Sequence, residues 1–249
     1  MIRKVARWIL ASAAVVAAIP LFTVAQVLWV RFVDPPGTPT MVQRMVTATA
    51  IERRPRRWYR VVVPLAALGP TVPRAVLSAE DARFYLHDGF DWDAICDAVD
   101  HNQRSRRVRG ASTISQQTAK NLFLWQGRSW VRKGLEVWYT VLLESLVPKD
   151  RILELYLNVA ETGPLVFGVE AGARHHFGRS AAALSGDQAG RLAGIFPDPL
   201  DRSVDGSAAR ERAAWVRANP APMPGDPGFD RLRADWDREW RGPWRCVGF

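Results

Sequence analysis

Ser78–Gly89 reads S-A-E-D-A-R-F-Y-L-H-D-G. Taken as part of a helix from Val72 to His87, with Pro73 near its first turn, it carries Glu80, Phe84 and His87 at i, i+4 and i+7. One face then holds a carboxylate, an aromatic ring and an imidazole, an odd choice for a plain core. Downstream, Gly110–Asn121 reads G-A-S-T-I-S-Q-Q-T-A-K-N. Ser112 is placed to cap a helix on which Thr113, Gln117 and Lys120 share a face. Arg128–Glu136, R-S-W-V-R-K-G-L-E, repeats Arg128, Arg132 and Glu136 at a spacing of four. Two acids and a cluster of cations on three helices describe a site rather than a solvated surface. Each stretch taken alone would also pass as an ordinary amphipathic helix.

The chain has 249 residues, enough for one domain with a substantial core plus extra segments. Its formal charge of +9 suits nucleic acid, an anionic membrane surface or a pyrophosphate equally well. No nucleic-acid-binding motif accompanies the charge, so nucleic acid is set aside as a partner. Two cysteines, Cys96 and Cys246, fit no metal-site spacing. In an oxidising compartment they can pair, and a buried free thiol is the equal alternative. Activity is not expected to depend on a disulfide between them. His175 and His176 lack an evident third ligand and read as filler, so no metal site is assigned.

Five motifs in order carry a resemblance. Glu80–Gly89, Gly110–Asn121, Arg132–Glu136 (R-K-G-L-E), Lys149–Asn158 (K-D-R-I-L-E-L-Y-L-N) and Gly168–Gly178 (G-V-E-A-G-A-R-H-H-F-G) resemble those of the peptidoglycan glycosyltransferases. These are the lysozyme-like modules of bifunctional penicillin-binding proteins and of stand-alone enzymes. The likeness covers roughly residues 30–200, and a chain this short most resembles the monofunctional, biosynthetic form. It implies a mainly α, lysozyme-like bilobal domain, in keeping with the absence of a convincing strand run. Leu135 stands where relatives often carry a basic residue. Gly172 replaces a usual Ala, and Phe196-Pro197-Asp198-Pro199 replaces a more usual Leu-Pro-Asn-Pro.

The implied reaction is polymerisation of lipid II into glycan strands with release of undecaprenyl pyrophosphate, a part of cell-wall synthesis. The acceptor sugar hydroxyl needs a general base, and Glu80 matches that position. Phe84 and Leu86 are expected to desolvate it. Lys120, Arg128, Arg132 and Lys133 would stabilise the leaving pyrophosphate. Glu136 either orients those cations or holds a divalent cation, Mg or Mn; no other cofactor is implied. Thr113, Gln116, Gln117 and Asn121 would hold sugar or phosphate oxygens, with Asp81, Phe84 and His87 completing the substrate-binding set. Two other classes remain in view: a lytic hydrolase on the same fold, disfavoured by the cation-rich second and third motifs, and an inactive cell-wall scaffold, disfavoured by the retained acids. Partners implied are lipid II, the growing glycan, the inner membrane, and cell-wall synthesis or division proteins.

The expected organisation is an anchor over residues 1–31, a juxtamembrane linker over 32–70, the transferase domain over 71–218 and a tail over 219–249. Trp8–Val30 is uncharged and, at about 1.5 Å per residue, spans a hydrocarbon core of roughly 30 Å as one transmembrane helix; Ala-rich Ala11–Ala18 keeps a cleaved signal peptide as the lesser alternative, since the run continues well past it. Arg3, Lys4 and Arg7 precede it, which keeps the N-terminus in the cytoplasm and puts the catalytic domain in the periplasm. Proline-rich Phe32–Thr40 forms the exit, and basic Met41–Leu68 is read as lying on anionic headgroups. Ser129–Leu146 reads as a helix with Val131, Leu135, Trp138, Leu142 and Leu146 as its apolar stripe. Pro148 ends it and Asp150 is placed to cap the next. Phe90–Asn102 reads as a short helix with Ile95, Ala98 and Val99 inward. Ser185 and Gln188 form a capping box. Phe229, Leu232, Trp236 and Trp240 form a helical face expected to pack on the domain itself.

Overall fold

The computed structural model describes residues 18–53, 56–105, 110–127 and 129–239. The helices in chain order are α1 (18–32), α2 (Pro39–Glu52), α3 (Thr71–Glu80), α4 (Trp92–Arg104), α5 (Ile114–Phe123) and α6 (Trp130–Leu146). They continue with α7 (Lys149–Val159), α8 (Val169–Phe177), α9 (Gly186–Gly194), α10 (Ser207–Ala218) and α11 (Phe229–Arg238). Three very short strands, β1 (Tyr59–Arg60), β2 (Glu161–Gly163) and β3 (Val166–Phe167), form a sheet in the order β1-β3-β2. β1 runs parallel and β2 antiparallel to the central β3. The domain is mainly α as expected. The sheet was not anticipated, because strands of two or three residues show no alternation to read.

Packing falls into two groups. α9 lies against α3 and α10, while α5 lies against α6 and α7. Gly190 and Gly194 set the first approach: a Cβ on either would come within 2.8–2.9 Å of the Ala213 and Ala209 Cα atoms. Gly172 is explained in the same way. A Cβ there would lie 2.6 Å from the Thr162 hydroxyl oxygen, so Thr162 excludes the alanine usual at that position. The core that joins the groups includes Leu77, Ile114, Leu143, Leu153, Tyr156, Phe167 and Leu192.

Five helix readings are corrected. α3 ends at Glu80 instead of continuing to His87, because Asp81 leaves helical geometry (φ −160°, ψ 78°). Its carboxylate there accepts from the Ile114 backbone N–H at 2.9 Å and from His87 at 3.1 Å. The cap of α5 is Thr113, not Ser112, in a capping box closed by Gln116. Asp150 lies within the first turn of α7 and accepts from the Tyr85 hydroxyl at 2.8 Å, whereas Pro148 occupies the cap position. The inward face of α6 is Glu136, Tyr139, Thr140 and Leu143. Of the apolar stripe, Leu135, Leu142 and Leu146 pack against the core, whereas Val131 and Trp138 are 72% and 41% exposed. The capping box of Ser185 and Gln188 forms as read. On α4, Ala98 turns inward with Asp93, but Val99 is exposed.

The two ends of the chain also differ in how they attach. α1 is held to α6: Trp138 Nε1 donates to Thr23 at 3.1 Å and the Tyr139 hydroxyl to Gln26 at 2.6 Å. Arg151 then donates to the Val30 carbonyl at the end of α1. Residues 1–17, which hold much of the expected span, lie outside the described residues. Among the described residues no helix is long and apolar enough to cross a membrane. The tail packs on its own domain as expected: Arg74 pairs with Asp226 at 2.7 Å, and Arg83 stacks 5.4 Å from the Trp236 ring. Trp240 is outside the described residues. Cys96 is disulfide-bonded, so it is not a free thiol. The chain's other cysteine, Cys246, is also outside them.

Candidate active site

A cleft of about 260 Å³ lies between α5 and the segment that follows α9. Gln117, Lys120 and Asn121 line it from α5. Tyr156 and Glu161 line it from α7 and β2, Arg44 from α2, and Phe196–Leu200 close the far wall. The α5 residues reach it together because they lie at i, i+3 and i+4 on a helix fixed by its capping box.

Glu80, the last residue of α3, meets this wall through Gln117. The Gln117 amide nitrogen donates to Glu80 Oε2 at 3.0 Å, and the Gln117 carbonyl accepts from the Tyr156 hydroxyl at 3.0 Å. Tyr156 is buried, and burial also raises its pKa, so the phenol stays a donor and fixes which way the Gln117 amide faces. Burial pushes the Glu80 carboxyl above the ordinary carboxylate range. The Gln117 hydrogen bond and the charges of Arg212 and Lys120 oppose that rise, while Asp81 adds to it. Such a carboxylate is under-solvated and has one neutral donor, the state suited to taking a proton.

Glu136 is the opposite case. It is 3% exposed, and both its oxygens are engaged: Arg132 Nη1 donates at 2.9 Å and Lys133 Nζ binds the other oxygen. Burial lowers the pKa of Lys120, Glu136 and Glu80 oppose this, and Arg132 and Lys133 reinforce it. Lys120 therefore stands within electrostatic reach of both acids and of the other two cations. The carboxylate of Glu136 thus bridges Arg132 and Lys133. With one oxygen on the Arg132 guanidinium and the other on the Lys133 ammonium, its partners in this arrangement are cations and not a metal ion. Among the described residues no group of three or more His, Cys, Asp and Glu is placed to hold a metal ion.

The remaining residues singled out from the sequence sit behind this surface. Asp81, Phe84, His87, Thr113 and Gln116 are buried. Asp81 joins His87 and the start of α5, while the Thr113 hydroxyl donates to the Gly89 carbonyl at 2.7 Å. Phe84 packs edge-on to Tyr85 and takes Lys149 4.5 Å from its ring centre. These contacts hold the 81–89 segment, and hence Glu80, against α5. Arg128 lies outside the described residues. Tyr156, Arg44, Glu161 and Arg212 were not identified from the sequence. Only Tyr156 carried a signal, its place within the fourth motif.

The transglycosylase family profile matches residues 45–220. The chain belongs to the transglycosylase family. Among its relatives are proteins named biosynthetic peptidoglycan transglycosylase. That of Xanthomonas oryzae pv. oryzae is 46% identical over 90% of this chain and 91% of its own. That of Pseudomonas aeruginosa is 45% identical over 90% and 93%. That of Rhodospirillum centenum is 48% identical over 84% and 89%. As in any transglycosylase, glycosyl transfer needs a base for the acceptor and charge stabilisation for the leaving group. Here Glu80, at the end of α3, lies against α5, and Lys120 of α5 is within electrostatic reach of Arg132 and Lys133 of α6.

Proposed function

We propose that this chain polymerises lipid II into glycan strands, with Glu80 as the general base. It is a peptidoglycan glycosyltransferase acting in cell-wall synthesis. The acceptor sugar hydroxyl gives its proton to Glu80 as its oxygen attacks C1 of the donor sugar. The bond from C1 to the pyrophosphate breaks, and undecaprenyl pyrophosphate leaves with the electron pair. Lys120, Arg132 and Lys133 stabilise the charge that develops there, held in register by Glu136. Gln117 and Asn121 bind sugar oxygens in the cleft. Asp81, Phe84, His87, Thr113 and Gln116 act by fixing the base and α5.

The observation that carries this reading is the difference between the two acids: an under-solvated Glu80 with one amide donor, and a Glu136 saturated by two cations. A neutral glycan would give the cations no partner, which disfavours a hydrolase. Incubation of the full chain with purified lipid II is expected to give polymer. Cleavage of preformed glycan without polymer would establish the hydrolase instead, and no turnover of either would establish a scaffold.

We further propose that the protein sits in the inner membrane, its N-terminus cytoplasmic and its catalytic domain periplasmic. Apolar side chains support this: Leu21, Phe22 and Phe32 of α1 are 64–76% exposed, and Trp130 and Val131 of α6 are 92% and 72% exposed. The disulfide at Cys96 suits an oxidising compartment. Deletion of residues 1–31 is expected to leave vesicle binding through the α6 face. A reporter fused after Phe249 is expected to register in the periplasm; a cytoplasmic signal would contradict the topology.

A further inference from the structure

The wall of the cleft built by α2 and β2 carries a charged pair that the mechanism above does not use. Arg44 Nε donates to both carboxylate oxygens of Glu161, at 3.1 and 2.9 Å. Engagement through Nε alone leaves the two terminal amino groups of the guanidinium, with four N–H donors, outside the pair. Among the described residues neither amino group has a protein acceptor, and neither is buried without one. The Arg44 side chain stays 25% exposed while Glu161 is 13% exposed. Glu161 therefore aims a fork of donors rather than consuming it.

Arg44, Glu161 and Leu200 line the cleft and also a second cavity of about 200 Å³ beside it. That cavity is chiefly apolar, with Ala48, Ile51, Pro164 and Leu165 in its walls. Leu165 holds a left-handed backbone (φ 59°), costly for a residue with a branched side chain. The turn is fixed by the Tyr59 N–H, which donates to the Leu165 carbonyl at 2.8 Å.

A fork of donors beside an apolar hollow is complementary to an acetamido group, which presents a carbonyl oxygen and a methyl. It is less suited to a phosphate or carboxylate. The Arg44 charge is already met by Glu161, and that of Arg56, which also lines the hollow, is met by Glu52 at 3.2 Å. We propose that Arg44 is a specificity-determining residue that holds an N-acylated sugar of the glycan strand. Its amino groups donate to the acyl oxygen, and the acyl methyl enters the hollow of Ile51, Leu165 and Leu200. Glu161 positions the guanidinium. This deepens the proposed function and rests on it for the substrate class.

The test compares binding of N-acetylglucosamine tetramer with that of cellotetraose, in which a hydroxyl replaces each acetamido group, to the full chain in detergent. The wild type is expected to prefer the acetylated oligomer by about tenfold, the scale of a hydrogen bond from a charged donor. Arg44→Lys keeps the charge and the partner for Glu161 but loses the fork, and the preference is expected to fall to about twofold or less. The exchange of Arg44→Glu with Glu161→Arg restores an ion pair and is expected to melt like the wild type without regaining the preference. A preference that survives Arg44→Lys, or returns in the exchanged pair, would overturn the assignment. So would equal binding of both oligomers by a wild type that polymerises lipid II. Failure of the wild type to polymerise lipid II, scored separately, would overturn the underlying enzymatic reading instead.

Discussion

Glu80 and Glu136 are the same residue type in two environments, and the contrast assigns them different work. Glu80 has one neutral donor and a carboxyl raised by burial. Glu136 is at least as enclosed, yet both its oxygens meet cations from its own helix. Desolvation with no cation hydrogen-bonded to the carboxylate produces a base, whereas desolvation with two such cations produces a scaffold for them. The contrast can be broken by mutations that treat the two acids alike.

The largest effect is expected from Glu80→Gln. Loss of a general base lowers polymerisation by at least about 10²-fold. Stability should move the other way. A carboxyl whose folded pKa lies above its unfolded value stabilises the protein below the unfolded pKa, and that contribution is lost as pH rises through the folded value. Above its raised folded pKa the ionised Glu80 is therefore a burden that glutamine removes. The variant should melt at the wild-type temperature or above it. A fall in melting temperature in proportion to activity would instead make Glu80 a structural residue.

Glu136→Gln comes next. It leaves Arg132 and Lys133 without their shared acceptor beside Lys120. A loss of about 1–3 kcal/mol in stability is expected, with weaker binding of lipid pyrophosphate. Denaturant melts and a lipid-binding isotherm check both parts. A Glu136→Gln protein with unchanged stability and donor affinity would remove the contrast. A smaller effect is expected from Tyr156→Phe. Without the hydroxyl, the Gln117 carbonyl loses its donor and the amide is held less firmly on Glu80. Stability should fall by about 1 kcal/mol. The weaker donor to Glu80 should shift the acid limb of the rate profile to higher pH.

Much of this was legible in the sequence because the chemistry sits in local patterns. Glu80, Gln117, Lys120, Arg132, Lys133 and Glu136 lie in motifs whose spacing is set by helices, and Ser185 with Gln188 announces its own capping box. Other features depend on distant partners. Nothing near Asp81 in the chain shows that it will leave the helix to meet Ile114 and His87. α6 misled for a different reason. Its apolar residues include an outward set, Trp130, Val131 and Trp138, while its inward face carries Glu136 and Thr140. Hydrophobic periodicity finds the apolar side of a helix, and here much of that side faces outward beside α1. Arg44 and Glu161 are 117 residues apart, and each reads alone as an ordinary surface charge.

The central claim is that polymerisation depends on the ionised form of a carboxyl raised by burial. The direct measurement is the pH dependence of kcat/KM for lipid II polymerisation by the wild type and by Glu80→Gln. The wild type should show an acid limb above the ordinary glutamate range, its rate rising as Glu80 ionises. The residual activity of Glu80→Gln should lack that limb. An acid limb that persists unchanged in an active Glu80→Gln protein would contradict the assignment of the base.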